Sequence, residues 1–177
     1  AIPSGVDSVD VLVVAGGGGG GITGGGGGGY YDSTATGNSP LDISTWSAAE
    51  ISVGAGGSGA GKRGAGFDGQ SSFVRQQGDS STTPGRTATA VVARGGAGGQ
   101  TATSTTPITR SGGVDGYGTG RGEFSAESAF DSKYHASGDG GDGAGGSGTS
   151  RTYSTSSVKG GNGGPGESST ITGESVS

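Results

Sequence analysis

The chain has no cysteine and no methionine, a single histidine, a single tryptophan and five prolines in 177 residues. Without cysteine, neither disulfides nor thiolate metal sites can staple the fold, and the redox compartment cannot be read from the sequence. With His135 alone, no two-histidine metal site can form within one chain, and a catalytic serine would depend on this one imidazole. Hydrophobic residues are only 27% of the chain, and Leu12 and Leu41 are its only leucines. That is too little apolar area for a conventional enzyme interior. The longest apolar run, Val11 to Ala15, is far too short to span a membrane.

Charge is sparse as well. Lys and Arg number ten, scattered singly apart from the pair Lys62-Arg63, and the formal net charge is −5. No basic stripe is present to neutralise a phosphate backbone, so nucleic acid is not an expected partner. The start Ala1-Ile2-Pro3-Ser4 has neither the charged segment nor the apolar segment of a signal peptide. Together with the missing initiator Met, it reads as a processed form or an ordered segment of a larger polypeptide.

What the chain has in abundance is glycine, 47 residues of it. They gather in blocks at Gly16–Gly29, Gly54–Gly66, Gly95–Gly99, Gly112–Gly122, Gly138–Gly148 and Gly160–Gly166. The first block holds twelve glycines in fourteen positions, GGGGGGITGGGGGG. Glycine loses the most backbone freedom on folding and offers no side chain to bury, so such blocks fold only where backbone packing is itself the structure. The extended helix of three residues per turn provides that setting. It has no internal hydrogen bonds and must pair laterally, and helices approach closely only where side chains are missing. Collagen is excluded, because the glycine triplet phase breaks repeatedly and proline is rare.

Between the blocks lie segments rich in Ser, Thr and aromatics. No stretch carries the apolar spacing and caps of an α-helix. Strands are expected at Val9–Ala15, Glu50–Val53, Ser72–Arg75 and Ala88–Ala93, with a weaker alternation over Ser169–Val176. The expected fold is therefore one domain over 1–177, mostly irregular and β: a polyglycine II stack with a few short strands and essentially no α-helix.

Motifs that could carry chemistry are weak. Gly56 to Lys62, GGSGAGK, matches part of a phosphate-binding loop, but Arg63 stands where the metal-binding Ser or Thr belongs. Asp139 and Asp142 resemble a Ca²⁺-binding nonapeptide but lack its tandem repetition. Glu123 and Glu127 do not read as a rigid acid–base pair. No enzyme activity, cofactor or metal is expected. The ten aromatics fall in or beside the segments between blocks. Most are read as capping the stack and filling small end cores, Trp46, Phe67 and Phe73 above all. Tyr30, Tyr31, Tyr117, Tyr134 and Tyr153, set in polar loops, are the candidates for contact with sugars or protein.

VDVLVVAGGGGGG at Val9–Gly21, EISVGAGGSG at Glu50–Gly59 and DGQSSFV at Asp68–Val74 resemble the glycine-rich domain of tail proteins of tailed bacteriophages, in particular minor tail proteins. RGGAGG at Arg94–Gly99 and GGNGGPG at Gly160–Gly166 fit the later part of that pattern. The alternation is also similar to that of phage tail-tip adhesins, in which a polyglycine II stack holds receptor-binding loops. The resemblance implies an extracellular, non-enzymatic virion component at the tail tip or in a fibre. Its partners would be other tail proteins and a host-surface glycan or protein, with a trimer around a fibre axis left open. A spacer or capping module without a receptor, and a glycine-rich bacterial surface protein, stand as alternatives.

Overall fold

The computed structural model describes residues 1–21, 24–60 and 64–99, with 152–153, 158–159, 162, 166, 168–169 and 171. Ten short strands occur among them: β1 (Ser8–Val9), β2 (Leu12–Val14), β3 (Tyr30–Asp32), β4 (Leu41–Asp42), β5 (Ala49–Ser52), β6 (Ser72–Gln76), β7 (Gly85–Arg86), β8 (Ala90–Ala93), β9 (Thr152–Tyr153) and β10 (Val158–Lys159). No α-helix is present among the described residues. One antiparallel sheet has the order β5-β6-β8-β7, and the pairs β1–β4, β2–β3 and β9–β10 form two-stranded antiparallel sheets.

Five of these strands run straight into or out of glycine segments. β2 continues into PG1 (15–21), PG2 (24–29) into β3, β5 into PG3 (54–60), PG4 (64–70) into β6, and β8 into PG5 (94–99). The strand ladders carry on into the glycine. Beyond the Val14–Tyr30 pair, Ala15 N–H donates to the Gly29 carbonyl at 2.9 Å.

Within the glycine segments the bonds recur every third residue. Ala15 and Gly18 of PG1 donate to Gly29 and Gly26 of PG2, while Gly16 and Gly19 donate to Gln70 and Phe67 of PG4. Gly96 and Gly99 of PG5 donate to Gly16 and Gly19, and Gly57 and Ala60 of PG3 donate to Gly17 and Gly20. A spacing of three is the period of the polyglycine II helix, so these are laterally bonded helices of that type. The outer helices bond one another in the same rhythm: PG2 to PG5, PG4 to PG5 and PG4 to PG3. PG1 is thus central, with PG2, PG5, PG4 and PG3 in an arc around it. The sense of each pairing makes PG1, PG3 and PG5 run one way and PG2 and PG4 the other.

The close approach explains the composition. A Cβ built on Gly16 or Gly19 would overlap the carbonyl of Ala55 or Ser58, and one on Gly18 would overlap that of Ala97. Gly25 and Gly28 of PG2, Gly54 and Gly57 of PG3, Gly66 and Gly69 of PG4, and Gly95, Gly96 and Gly98 of PG5 meet neighbouring backbone carbonyls in the same way. Side chains that do occur lie on outward rows: Ala55 and Ser58 of PG3, and Ala65, Phe67, Asp68 and Gln70 of PG4, are exposed. Some then bond back to the stack. Asp68 accepts from Gly98 N–H at 2.8 Å and Ser72 Oγ from Gly54 N–H at 2.9 Å.

At the end where the strands emerge, ordinary packing takes over. Val13, Ala15, Tyr31, Leu41, Ile43, Trp46, Val91 and Ala93 form a buried cluster, with Ile2, Val6, Val9, Val11 and Val74 packed against it. Strand pairing folds the two materials into one body, because Val13 opposes Tyr31 and Val91 opposes Val74.

The expected strands at Val9–Ala15, Glu50–Val53, Ser72–Arg75 and Ala88–Ala93 are present, with two differences, while Ser169–Val176 lies outside the described residues except for Ser169 and Ile171. Val9–Ala15 is split by Asp10, whose carboxylate accepts from the Ser33 hydroxyl at 3.0 Å. β3, β4, β7, β9 and β10 had no legible alternation, being two or three residues long. Trp46 is buried as expected, but Phe67 is 66% exposed and caps no core. It occupies an outward row of PG4, where the inward row is reserved for Gly66 and Gly69. The Gly112–Gly122 and Gly138–Gly148 blocks lie outside the described residues, as do Asp139, Asp142, Glu123, Glu127 and His135.

Candidate functional site

The head carries two loops, 33–40 between β3 and β4 and 77–84 between β6 and β7. The first is folded by short polar side chains. Asp32 Oδ1 accepts from the backbone N–H and hydroxyl of Thr34 at 2.8 and 2.6 Å, and Asn38 donates to the Asp32 carbonyl at 2.6 Å. Such aspartate turns supply the backbone with partners where no strand can. Burial of Asp32 pushes its carboxyl up, but hydrogen bonds from the Ser169 and Thr34 hydroxyls and the Thr34 N–H outweigh this and hold it below the usual carboxylate range. Ser33 ties the loop base to Val11, whose N–H donates to Ser33 Oγ at 2.9 Å.

Arg86 of β7 ties that strand to loop 33–40. Its guanidinium donates to Ser39 Oγ at 2.7 Å and to the Pro40 carbonyl at 2.8 Å, while its buried Nε has no partner among the described residues. Beside it Asp42 accepts from Ser44 N–H and hydroxyl at 3.0 and 2.7 Å through one oxygen. Those bonds, with a smaller contribution from the Arg86 charge, lower the Asp42 carboxyl below its ordinary range. Asp42, Arg86, Thr87 and Ala88 line an open groove of about 380 Å³. A fixed carboxylate, a guanidinium and a hydroxyl around a shallow groove can pair with the hydroxyls of a sugar or with a polar peptide. Nothing in the arrangement resembles a nucleophile with its base.

The candidate contact residues separate. Tyr31 is corrected: it is 1% exposed, lies in the core cluster and donates its hydroxyl to the Ser39 carbonyl at 3.1 Å, so no external partner can reach it. Tyr30, the adjacent strand residue, is half-buried. Adjacent residues of a strand face opposite sides, which is why one tyrosine enters the core and its neighbour does not. Tyr153 lies in β9 opposite Val158. Tyr117 and Tyr134 lie outside the described residues. Asp42 and Arg86 were not singled out from the sequence, and the only signal near them is the Pro84-Gly85 turn.

Residues 56–60 of the GGSGAGK stretch lie in PG3, where Gly57 and Ala60 give their N–H groups to PG1 rather than to a phosphate, while Gly61, Lys62 and Arg63 lie outside the described residues. Among the described residues no group of three or more His, Cys, Asp or Glu is placed to hold a metal ion.

Fold and head together define a backbone-packed glycine scaffold with a small β-built cap. The chain belongs to the glycine-rich domain family, whose family model matches residues 1–176. No curated protein matches it, and no solved structure does.

Proposed function

We propose that this chain is a non-enzymatic structural protein of a phage virion, at the tail tip or in a fibre, whose glycine stack is a rigid support for host-attachment loops. The observation that supports this reading is directional: all five glycine helices join strands at the same end, so loops 33–40 and 77–84 are carried together on the head. Lateral backbone bonding makes the support stiff, and stiff supports reduce the entropy lost when loops bind. The groove at Asp42 and Arg86, with half-buried Tyr30 on the same head, suits a surface glycan or polar protein segment. Other virion proteins and the host surface are the partners this reading assigns, and its location is the extracellular virion.

The test is binding of the fluorescently labelled protein to a panel of bacterial cells. The attachment reading expects strain-selective binding that falls at least about tenfold in Arg86→Ala or Asp42→Ala, the scale of one lost charge-assisted contact of about 1.4 kcal/mol or more. Binding to no strain, or equal binding that neither variant changes, would leave the spacer reading in its place.

A further inference from the structure

The two edges of the four-stranded sheet are built differently. β7, at one edge, is two residues long, follows Pro84 and carries the cation Arg86. Proline, charge and shortness are devices by which a sheet keeps its edge from pairing with another chain. β5, at the other edge, has four residues, no proline, no lysine or arginine, and no bulge in its register with β6. Its backbone is half used. Gln77 N–H donates to the Ala48 carbonyl and Gly54 N–H to Ser72 Oγ, both at 2.9 Å, so the even-numbered residues of 48–54 turn their amide groups toward β6. Ala49, Ile51 and, just past the strand, Val53 turn theirs outward, where no strand pairs with them among the described residues. The side chains at these three positions share one face, and it is the face that meets the core. Val91, Val74 and Ile51 stand in one row across the sheet: Val91 is fully buried, Val74 packs against the buried cluster, and Ile51 is 68% exposed. Val53 is 83% exposed. The apolar layer thus runs on past its cover, to the edge whose amide groups have no strand beside them.

We propose that β5 is a self-association edge, on which a second copy of this chain docks by pairing β5 with β5, antiparallel about a two-fold axis at Ile51. Symmetry and charge select this occupant. The outward residues lie evenly about Ile51, so Ile51 pairs with the partner's Ile51 and Ala49 with the partner's Val53, and every outward N–H and carbonyl of the three is used. The apolar row then continues from Val91, Val74 and Ile51 into the same row of the copy. Glu50 comes opposite the partner's Ser52, and its charge is held by Arg75, whose Nε and Nη2 donate to its two carboxylate oxygens at 3.1 Å each. The neighbouring registers are worse. One sets the two Glu50 side chains directly opposite, where like charges repel, and the other sets Ala49 opposite Ala55, inside the glycine helix PG3.

Paired over about 17 Å of strand, with Ile51 and Val53 covered, the interface buries about 400 Å² a side, half of what a stable complex has, so the dimer is weak and forms between about 10 µM and 1 mM. The proposal stands apart from the attachment reading and survives its failure.

The chain has no cysteine, so single-cysteine variants of the full chain report the register without background. Ile51→Cys brings two thiols across the axis with Cα atoms about 5.5 Å apart, within disulfide range, while Val53→Cys leaves them about 14 Å apart. Under mild oxidation at about 0.5 mM, Ile51→Cys should cross-link at least about tenfold faster than Val53→Cys. In the unmutated protein the sedimentation mass should climb toward that of a dimer between about 10 µM and 1 mM, with amide exchange at Ala49, Ile51 and Val53 slowing as concentration rises. Val53→Lys should weaken association at least about tenfold, and Ser58→Lys, on the exposed row of PG3, should leave it unchanged. A monomer at about 1 mM, or equal cross-linking of the two cysteine variants, overturns the proposal. So does a trimeric mass, which a two-fold edge cannot build, or protection of Ala49, Ile51 and Val53 at every concentration, which assigns the edge to another part of the same chain.

Discussion

The stack and the head are two solutions to one problem in a chain short of apolar residues. In the head, Tyr31, Leu41, Val91 and Val92 are nearly inaccessible, each contributing about 1.5–3 kcal/mol by leaving water. In the stack almost nothing apolar is buried, and the lateral backbone bonds, about 0.5–1.5 kcal/mol each, do the equivalent work. Hydrogen bonds of that size hold a fold only when many form together, and many can form only if no Cβ keeps the helices apart. The head tolerates a change of side chain by its volume. The stack tolerates or refuses a side chain by its row.

That contrast is sharpest at two adjacent residues. Gly57→Val drives a side chain into the Phe67 carbonyl and should cost at least about 3 kcal/mol, while Ser58→Val on the exposed row should stay within about 0.5 kcal/mol. Thermal melts of the two variants check it, and equal melting would mean that rows do not govern the stack. Leu41→Ala, fully buried in the head, should cost about 2–4 kcal/mol in chemical denaturation, an ordinary cavity effect. Smaller still is Asp68→Ala, which strips the side-chain partner from Gly98 N–H. About 1 kcal/mol is expected, with faster exchange at Gly98 as its local signature.

The head also has a pH response of its own. Asp32 titrates lower in the folded chain than its ordinary value of 3.8, so the folded state favours its charged form. Its contribution is complete above about pH 5, where it is ionised folded or unfolded, and fades as pH falls through the ordinary value and then the lowered folded one. Acid unfolding of Asp32→Asn should therefore show a shallower loss of stability below pH 4 than the parent. An unchanged slope would remove Asp32 from the account.

The stack was legible in the sequence to a degree the head was not. Six-glycine runs entered from Val11–Ala15 and blocks broken by single Ala or Ser residues have one economical physical explanation, close lateral packing. Which helix touches which was hidden, because every glycine row looks alike until bonds assign it. The head was partly visible through Trp46 and the β-branched runs. Its loops were not, since Asp32, Ser33 and Asn38 act through turn geometry and Arg86 reaches Ser39 across 47 positions of sequence. Tyr30 and Tyr31 show the same limit at one step. Composition places both in a polar segment, and only the strand register decides which is buried.

The central claim is that backbone bonds three residues apart bind the glycine helices. Through-bond NMR couplings from the amide nitrogens of Gly16 and Gly19 to the carbonyl carbons of Gln70 and Phe67 test it directly. The account predicts a coupling for both pairs; their absence, with glycine amides exchanging at unprotected rates, would contradict it.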